Sequence, residues 1–189
     1  MIKTKLFMLA VLCSFFAMQA NGQGKFGFKA GANLATIGGD ARNADSKLGL
    51  HAGMTVRTPI NDQWATQFDV VYSVQGDQSS LSSDIRSNYN YLNVPFVFKF
   101  YPEAGFNVQA GVQAGILVAA NTNLFGTKRD IRNDLSTFDF GIPVGLGYDF
   151  DQGFGLDFRY FLGLTNTNPN ASSSFPNRVL QFSITYILN

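Results

Sequence analysis

Phe26-Gly27-Phe28-Lys29-Ala30-Gly31-Ala32-Asn33-Leu34 (26–34) decides the fold. Phe26, Phe28, Ala30, Ala32 and Leu34 fall on one parity, and Gly27, Lys29, Gly31 and Asn33 on the other. Successive side chains of a strand point to opposite faces, so this alternation predicts a strand between two unlike environments. One face carries no charge at all. A strand of that kind, repeated around a closed sheet, suits a lipid bilayer.

The same pattern recurs along the chain. Strands are predicted near 25–37, 48–59, 64–75, 89–101, 106–120, 137–148, 154–164 and 178–188. The uncharged face includes Leu48, Leu50 and Met54, then Trp64, Phe68 and Tyr72, then Leu92, Phe96 and Phe100. Val108 to Ile116, Phe138 to Leu146, Leu156 to Leu162 and Leu180 to Leu188 continue it at every second position. Strand-interior charges fall on the other parity: Lys29, Arg57, Asp69, Lys99, Asp139, Asp157 and Arg159. A misplaced Arg or Lys at the bilayer midplane costs about 2–4 kcal/mol, so the membrane itself would impose this sorting.

The connections alternate in length. Those at 38–47, 76–88, 121–136 and 165–177 are long and polar; those at 60–63, 102–105 and 149–153 are tight. Outer-membrane barrels have short periplasmic turns and long extracellular loops. The expectation is an all-β, eight-stranded, antiparallel, up-and-down transmembrane barrel.

Bulk composition agrees. The chain has 189 residues, one domain's worth, and 14% of them are charged against about 25% in soluble domains. The net charge of +1 offers no field to attract nucleic acid. Mean hydropathy is +0.02, because alternation averages apolar against polar positions. A soluble barrel with its apolar face inward explains alternation too. It does not explain an opposite face rich in glycine (Gly49, Gly53, Gly111, Gly115, Gly141, Gly145) and poor in lysine and glutamate.

The N-terminus reads as a targeting segment. Lys3 and Lys5 precede an apolar run from Leu6 to Met18, and Ala20-Asn21-Gly22 supplies small residues before a cleavage site. A signal peptide at 1–22 and a barrel domain at 23–189, beginning at Gln23, are expected. The run is shorter than the roughly 20 residues of a membrane helix. Cys13, the only cysteine, lies within it after the large Leu12, which argues against lipidation.

Several segments resemble the PorT-like, porin-type outer-membrane β-barrel family of Bacteroidetes, small barrels of the OmpA/OmpX-like kind. They are FGFKAGANLATI (26–37), VVYSVQG (70–76), YLNVPFVFKFY (91–101), VQAGVQAGIL (108–117) and FDFGIPVGLGYDF (138–150). The resemblance implies the fold and the outer membrane. It brings no catalytic residues; some relatives are linked to protein secretion.

Eight strands leave an interior just filled by side chains. Lys29, His51, Arg57, Asp69, Lys99, Asp139, Asp157 and Arg159 are therefore the candidate lumen network, with a direct Arg57–Asp69 interaction expected across the tight turn. Aromatics near strand ends, Trp64, Tyr101, Phe106, Tyr148 and Phe154, suit interfacial girdles. His51 is the only histidine, and no metal motif or nucleotide-binding motif is present. Ser73 and Asp69 on the adjacent strand are the partners a His-based lipid-modifying enzyme would need. The expectation remains no enzyme, no catalytic residue, no cofactor and no metal.

Lys128, Arg129 and Arg132 on the third long loop are candidate contacts for lipopolysaccharide or a partner. The reading is thus a structural or interaction barrel that contacts outer-membrane lipid and lipopolysaccharide, with an envelope or external protein partner and no nucleic acid. A narrow porin-like channel for ions or small solutes is the alternative. A lipid-modifying enzyme and a secretion component stand behind both.

Overall fold

In the computed structural model, Phe28 stands opposite Met54 on one side and Tyr186 on the other, so the first strand pairs with both the second and the last. That double pairing closes the sheet. The structure describes residues 24–38, 44–79, 85–167 and 175–188. The expected signal peptide and its cleavage before Gln23 lie outside the described residues.

The strands are β1 (Lys25–Ile37), β2 (Ala44–Pro59), β3 (Trp64–Gln75), β4 (Asp77–Ser79), β5 (Ile85–Phe100), β6 (Phe106–Leu124), β7 (Thr127–Asp130), β8 (Phe138–Asp149), β9 (Phe154–Asn166) and β10 (Pro176–Ile187). A 3-10 turn, Arg132–Asp134, follows β7. The barrel runs β1–β2–β3–β5–β6–β8–β9–β10 and back to β1, every neighbour antiparallel. Closure leaves the barrel without an edge strand.

The faces sort as the alternation predicts. Leu50, Met54, Tyr72, Phe98, Val112, Phe140, Phe158 and Phe182 are exposed on the outside. Lys29, Asp69, Lys99, Asp139, Asp157 and Arg159 are buried inside. Val56 and Ile116 are outward by parity yet buried, Val56 between Phe26 and Phe68 and Ile116 between Leu92 and Phe138 of the neighbouring strands.

Two differences from the sequence reading concern the long-connection end. β2, β5 and β6 run further than expected, and β4 and β7 pair onto them as short ribbons. Beyond the lipid a strand needs no apolar face, so the pattern stops while backbone pairing continues. The second difference is a bulge. Asn90 pairs with Ala119 but Tyr91 with Leu117, which leaves Val118 unpaired. The extra residue swaps the parity of β6, so Leu117 and Ala120 both turn inward.

The lumen is packed in two kinds of material. At the long-connection end Tyr89, Tyr91, Leu117 and Ala120 form an apolar cluster, with Ile37, Ile131 and Leu135 packed on it. Ala35, Phe161 and Val179 form a second one. Towards the short-turn end the filling is polar and charged.

Candidate functional site

The register of the ladders decides which charges meet. On β2 and β3, Thr55 stands opposite Asp69 and Arg57 opposite Gln67. Arg57 is thus two residues nearer the turn than Asp69, and the expected Arg57–Asp69 interaction does not form. Arg57 Nη2 instead lies 2.9 Å from Asp149 Oδ1. Asp69 turns across the lumen, where Arg159 Nη1 lies 2.8 Å and Lys29 Nζ 3.3 Å from its Oδ2.

Asp157 is the second hub. Lys29 Nζ lies 3.0 Å from its Oδ2 and Lys99 Nζ 3.2 Å from its Oδ1. Lys99 also reaches Asp149 Oδ2 at 3.3 Å. Neutral groups complete the coordination. Thr55 Oγ1 and Gln67 Nε2 donate to Asp69 Oδ1 at 2.6 and 2.8 Å. Gln109 Nε2 donates to Asp157 Oδ1 at 2.7 Å, and Gln109 Oε1 accepts from Arg159 Nε at 2.7 Å. Buried charges persist when their lone pairs and protons are met in this way.

Six of the eight candidates, Lys29, Arg57, Asp69, Lys99, Asp157 and Arg159, are joined by these contacts; Asp149 is the link that the sequence reading missed. The sequence pattern puts it in the tight connection 149–153, but β8 runs one step further, and its odd parity aims Asp149 inward. Tyr101, expected in a girdle, donates its hydroxyl to Asp149 Oδ2 at 2.8 Å and belongs to the lumen mouth. Trp64 faces outward, its ring 4.8 Å from that of Phe100.

The other two candidates stand apart from the ion pairs. Asp139 accepts from Asn177 Nδ2 at 3.2 Å, and Asn177 also donates to Gln75. His51, on β2, reaches side chains of β1 and β10. Its Nδ1 lies 2.7 Å from Asn33 Oδ1 and its Nε2 2.8 Å from Ser183 Oγ. Asn33 Nδ2 donates to Ser73 Oγ and Val74 O at 2.8 and 3.1 Å, which leaves Asn33 Oδ1 to accept. That pattern places the imidazole proton on Nδ1 and directs the Ser183 hydroxyl at Nε2.

The order serine, histidine, asparagine has the connectivity of a nucleophile, a base and its orienter. Neither Ser73 nor Asp69 is the partner of His51 that an enzyme reading would require. Ser183 and Asn33 are 0% exposed, enclosed within the barrel wall and its filling. The arrangement ties three strands together. Asn33 and Ser183 were legible only as inward polar positions; nothing in the sequence pairs them with His51.

The loop candidates are not gathered into one patch. Lys128 and Arg129 are adjacent in β7 and point to opposite faces of the β6–β7 hairpin. Arg132 lies in the 3-10 turn. The hairpin tip is Phe125-Gly126, with φ of 49° and 86°. Phe125 is 73% exposed there. Outside the spanning strands, burial pushes the Asp77 carboxyl above its usual value, against the lowering pull of the Tyr89 hydroxyl and Lys47. Tyr89 Oη donates to Asp77 Oδ1 at 2.9 Å.

Comparison with known proteins agrees with this architecture. Residues 18–168 match the family described as outer membrane protein beta-barrel domain. Neisserial surface protein A is similar in structure, with a TM-score of 0.63 and 15% identity over 86% of this chain and 97% of that one. Ail, the attachment invasion locus protein of Yersinia pestis, is similar at TM-score 0.54 and 15% identity, covering 88% of this chain and 99% of that one. Ail has also been crystallised with the heparin analogue sucrose octasulfate. No curated protein sequence matches the chain.

Proposed function

From the premise that this chain belongs to the outer-membrane protein β-barrel domain family, we propose that it is an interaction barrel: a plugged, non-enzymatic scaffold that holds recognition loops above the outer membrane. One observation carries the reading. The lumen is filled from the ion pairs of Lys29, Asp69, Asp157 and Arg159 at one end to Tyr89, Tyr91 and Leu117 at the other. A barrel so filled has little to pass, and what it offers outside is its hairpins.

The β6–β7 hairpin is the part assigned to contact. A bulky residue at positive φ is an outlier, and such strain concentrates at functional positions. Phe125 is held that way at the tip, exposed, with Lys128 and Arg129 just behind it. Aromatic and arginine side chains are the commonest interface anchors. The heparin analogue bound to the like-folded Ail supports a polyanionic partner, such as a sulfated glycan or the phosphates of lipopolysaccharide. The quoted strand segments support a place near the PorT-like porins within the family.

Binding of sucrose octasulfate to the refolded protein tests the reading. Saturable binding that weakens in Lys128→Glu/Arg129→Glu and in Phe125→Gly is the expected result. Absence of binding, together with large and stable conductance steps in a planar bilayer, would overturn it in favour of the channel. Labelling of Ser183 by a small fluorophosphonate would overturn the non-enzymatic part.

A further inference from the structure

The ion-paired cluster of the lumen is not electrically balanced. Lys29, Lys99 and Arg159 are buried there and pair with two buried carboxylates, Asp69 and Asp157. The half-buried Arg57 and Asp149 add one charge of each sign. The cluster is left one positive charge in excess. Asp139, the remaining buried carboxylate, takes its hydrogen bond from Asn177 and makes no ion pair among the described residues. A lone charge in such a setting is costly unless something opposes it.

Two buried donors in the same region are also without acceptors. Arg159 Nη2 makes no hydrogen bond and stands 3.7 Å from Asp157 Oδ2. Asn93 Nδ2 makes none either. Both residues line one small void in the lumen, together with Lys29, His51, Asp69 and Gln113. The space is on the scale of about one water-sized guest. Asp69 does not close the site to an anion, since Thr55, Gln67, Lys29 and Arg159 already occupy its oxygens.

We propose that this void binds one small inorganic anion of halide size, with Arg159 and Asn93 as its hydrogen-bond donors. The anion meets the two orphaned donors and cancels the excess charge, whereas a water does only the first. Because both ends of the lumen are filled, the ion enters as the barrel closes and exchanges slowly afterwards. It is a structural counter-ion of the plug, independent of what the loops bind.

Refolding the mature protein into detergent at fixed ionic strength tests this, with chloride or bromide against gluconate, which is too large for the void. The expected result is a saturable rise in unfolding midpoint with chloride or bromide present during folding, and a smaller or delayed rise when the halide is added afterwards. Crystals grown from bromide should show one anomalous peak beside Arg159 and Asn93. Asn93→Asp supplies a carboxylate at the void and should make the barrel halide-indifferent without loss of stability; Asn93→Leu should lower the apparent affinity. Equal midpoints in halide and gluconate, with no bromide peak, would overturn the site. Halide indifference in the unmodified protein that turns to dependence in Asp139→Asn would assign the missing charge to Asp139 and equally overturn it.

Discussion

His51 reaches over Gly31 to Ser183. Both residues stand opposite Gly31 in the ladders, one from β2 and one from β10, and the imidazole crosses β1 to bring Nε2 within 2.8 Å of the hydroxyl. A Cβ on Gly31 would lie 2.8 Å from His51 Cε1 and 2.0 Å from the Phe182 carbonyl oxygen. The missing side chain on one strand is therefore the condition for a tie between its two neighbours.

That relationship makes Gly31 the weak point of the seam where the barrel closes. Gly31→Val should lower the folding yield in lipid vesicles severely. His51→Leu, which leaves Asn33 Oδ1 and the Ser183 hydroxyl unmet, should cost about 1–3 kcal/mol for each stranded group. Replacing His51 and Ser183 together, by Leu and Ala, should be less damaging than the sum of the single changes. Urea unfolding in detergent reads the two single changes at His51 and Ser183 and the double variant.

Double-variant cycles should follow the observed ion pairs. Arg57→Met and Asp149→Leu should couple, while Arg57→Met and Asp69→Leu should add. Removing Asp157 alone takes one of two carboxylate partners from each of Lys29 and Lys99 and should cost more than removing Arg57, of the order of 3–5 kcal/mol for a broken buried pair. Coupling between Arg57 and Asp69 in the same unfolding assay would contradict the register.

The outer face gives a third test. Val112 is 63% exposed near the middle of β6. Val112→Arg should cost about 2–4 kcal/mol and block insertion into vesicles, whereas Val112→Leu should be neutral. Heat-modifiable mobility on a gel reports the folded fraction.

Opening one end of the lumen should not make a pore. Tyr91→Ala/Leu117→Gly/Phe161→Ala removes the apolar stopper but leaves the ion pairs at the other end. Planar-bilayer recordings should stay silent for this triple variant. Conductance steps from it would place the barrier at the stopper alone.

The outer ribbon carries a pH dependence. A carboxyl raised by burial favours the folded state while it holds its proton, and that contribution fades as pH rises through its elevated value. Pairing of β2 with β4 around Asp77 should thus be firmer at mildly acidic pH than at neutral pH. Hydrogen exchange over residues 44–46 and 77–79, corrected for intrinsic rates, should show it, and Asp77→Asn should remove it.

The sequence by itself determined the strands, their faces and the closed membrane barrel. Those follow from a local rule: lipid tolerates no charge at any outward position, and period-two geometry converts that demand into an alternation visible residue by residue, as from Phe26 to Leu34. Strand ends were less legible, because β2, β5 and β6 leave the lipid before their pairing stops. Only the tertiary structure decided which inward groups meet. Lys29 and Asp157 are 128 residues apart, and His51 and Ser183 are 132. Their encounters depend on register, on closure of β1 against β10, and on side chains that cross the lumen between strands that are not neighbours. No alternation carries that information, so eight inward candidates could be named while the Arg57–Asp149 pairing, the Asn33–His51–Ser183 tie and the excess of positive charge emerged only when the barrel was closed.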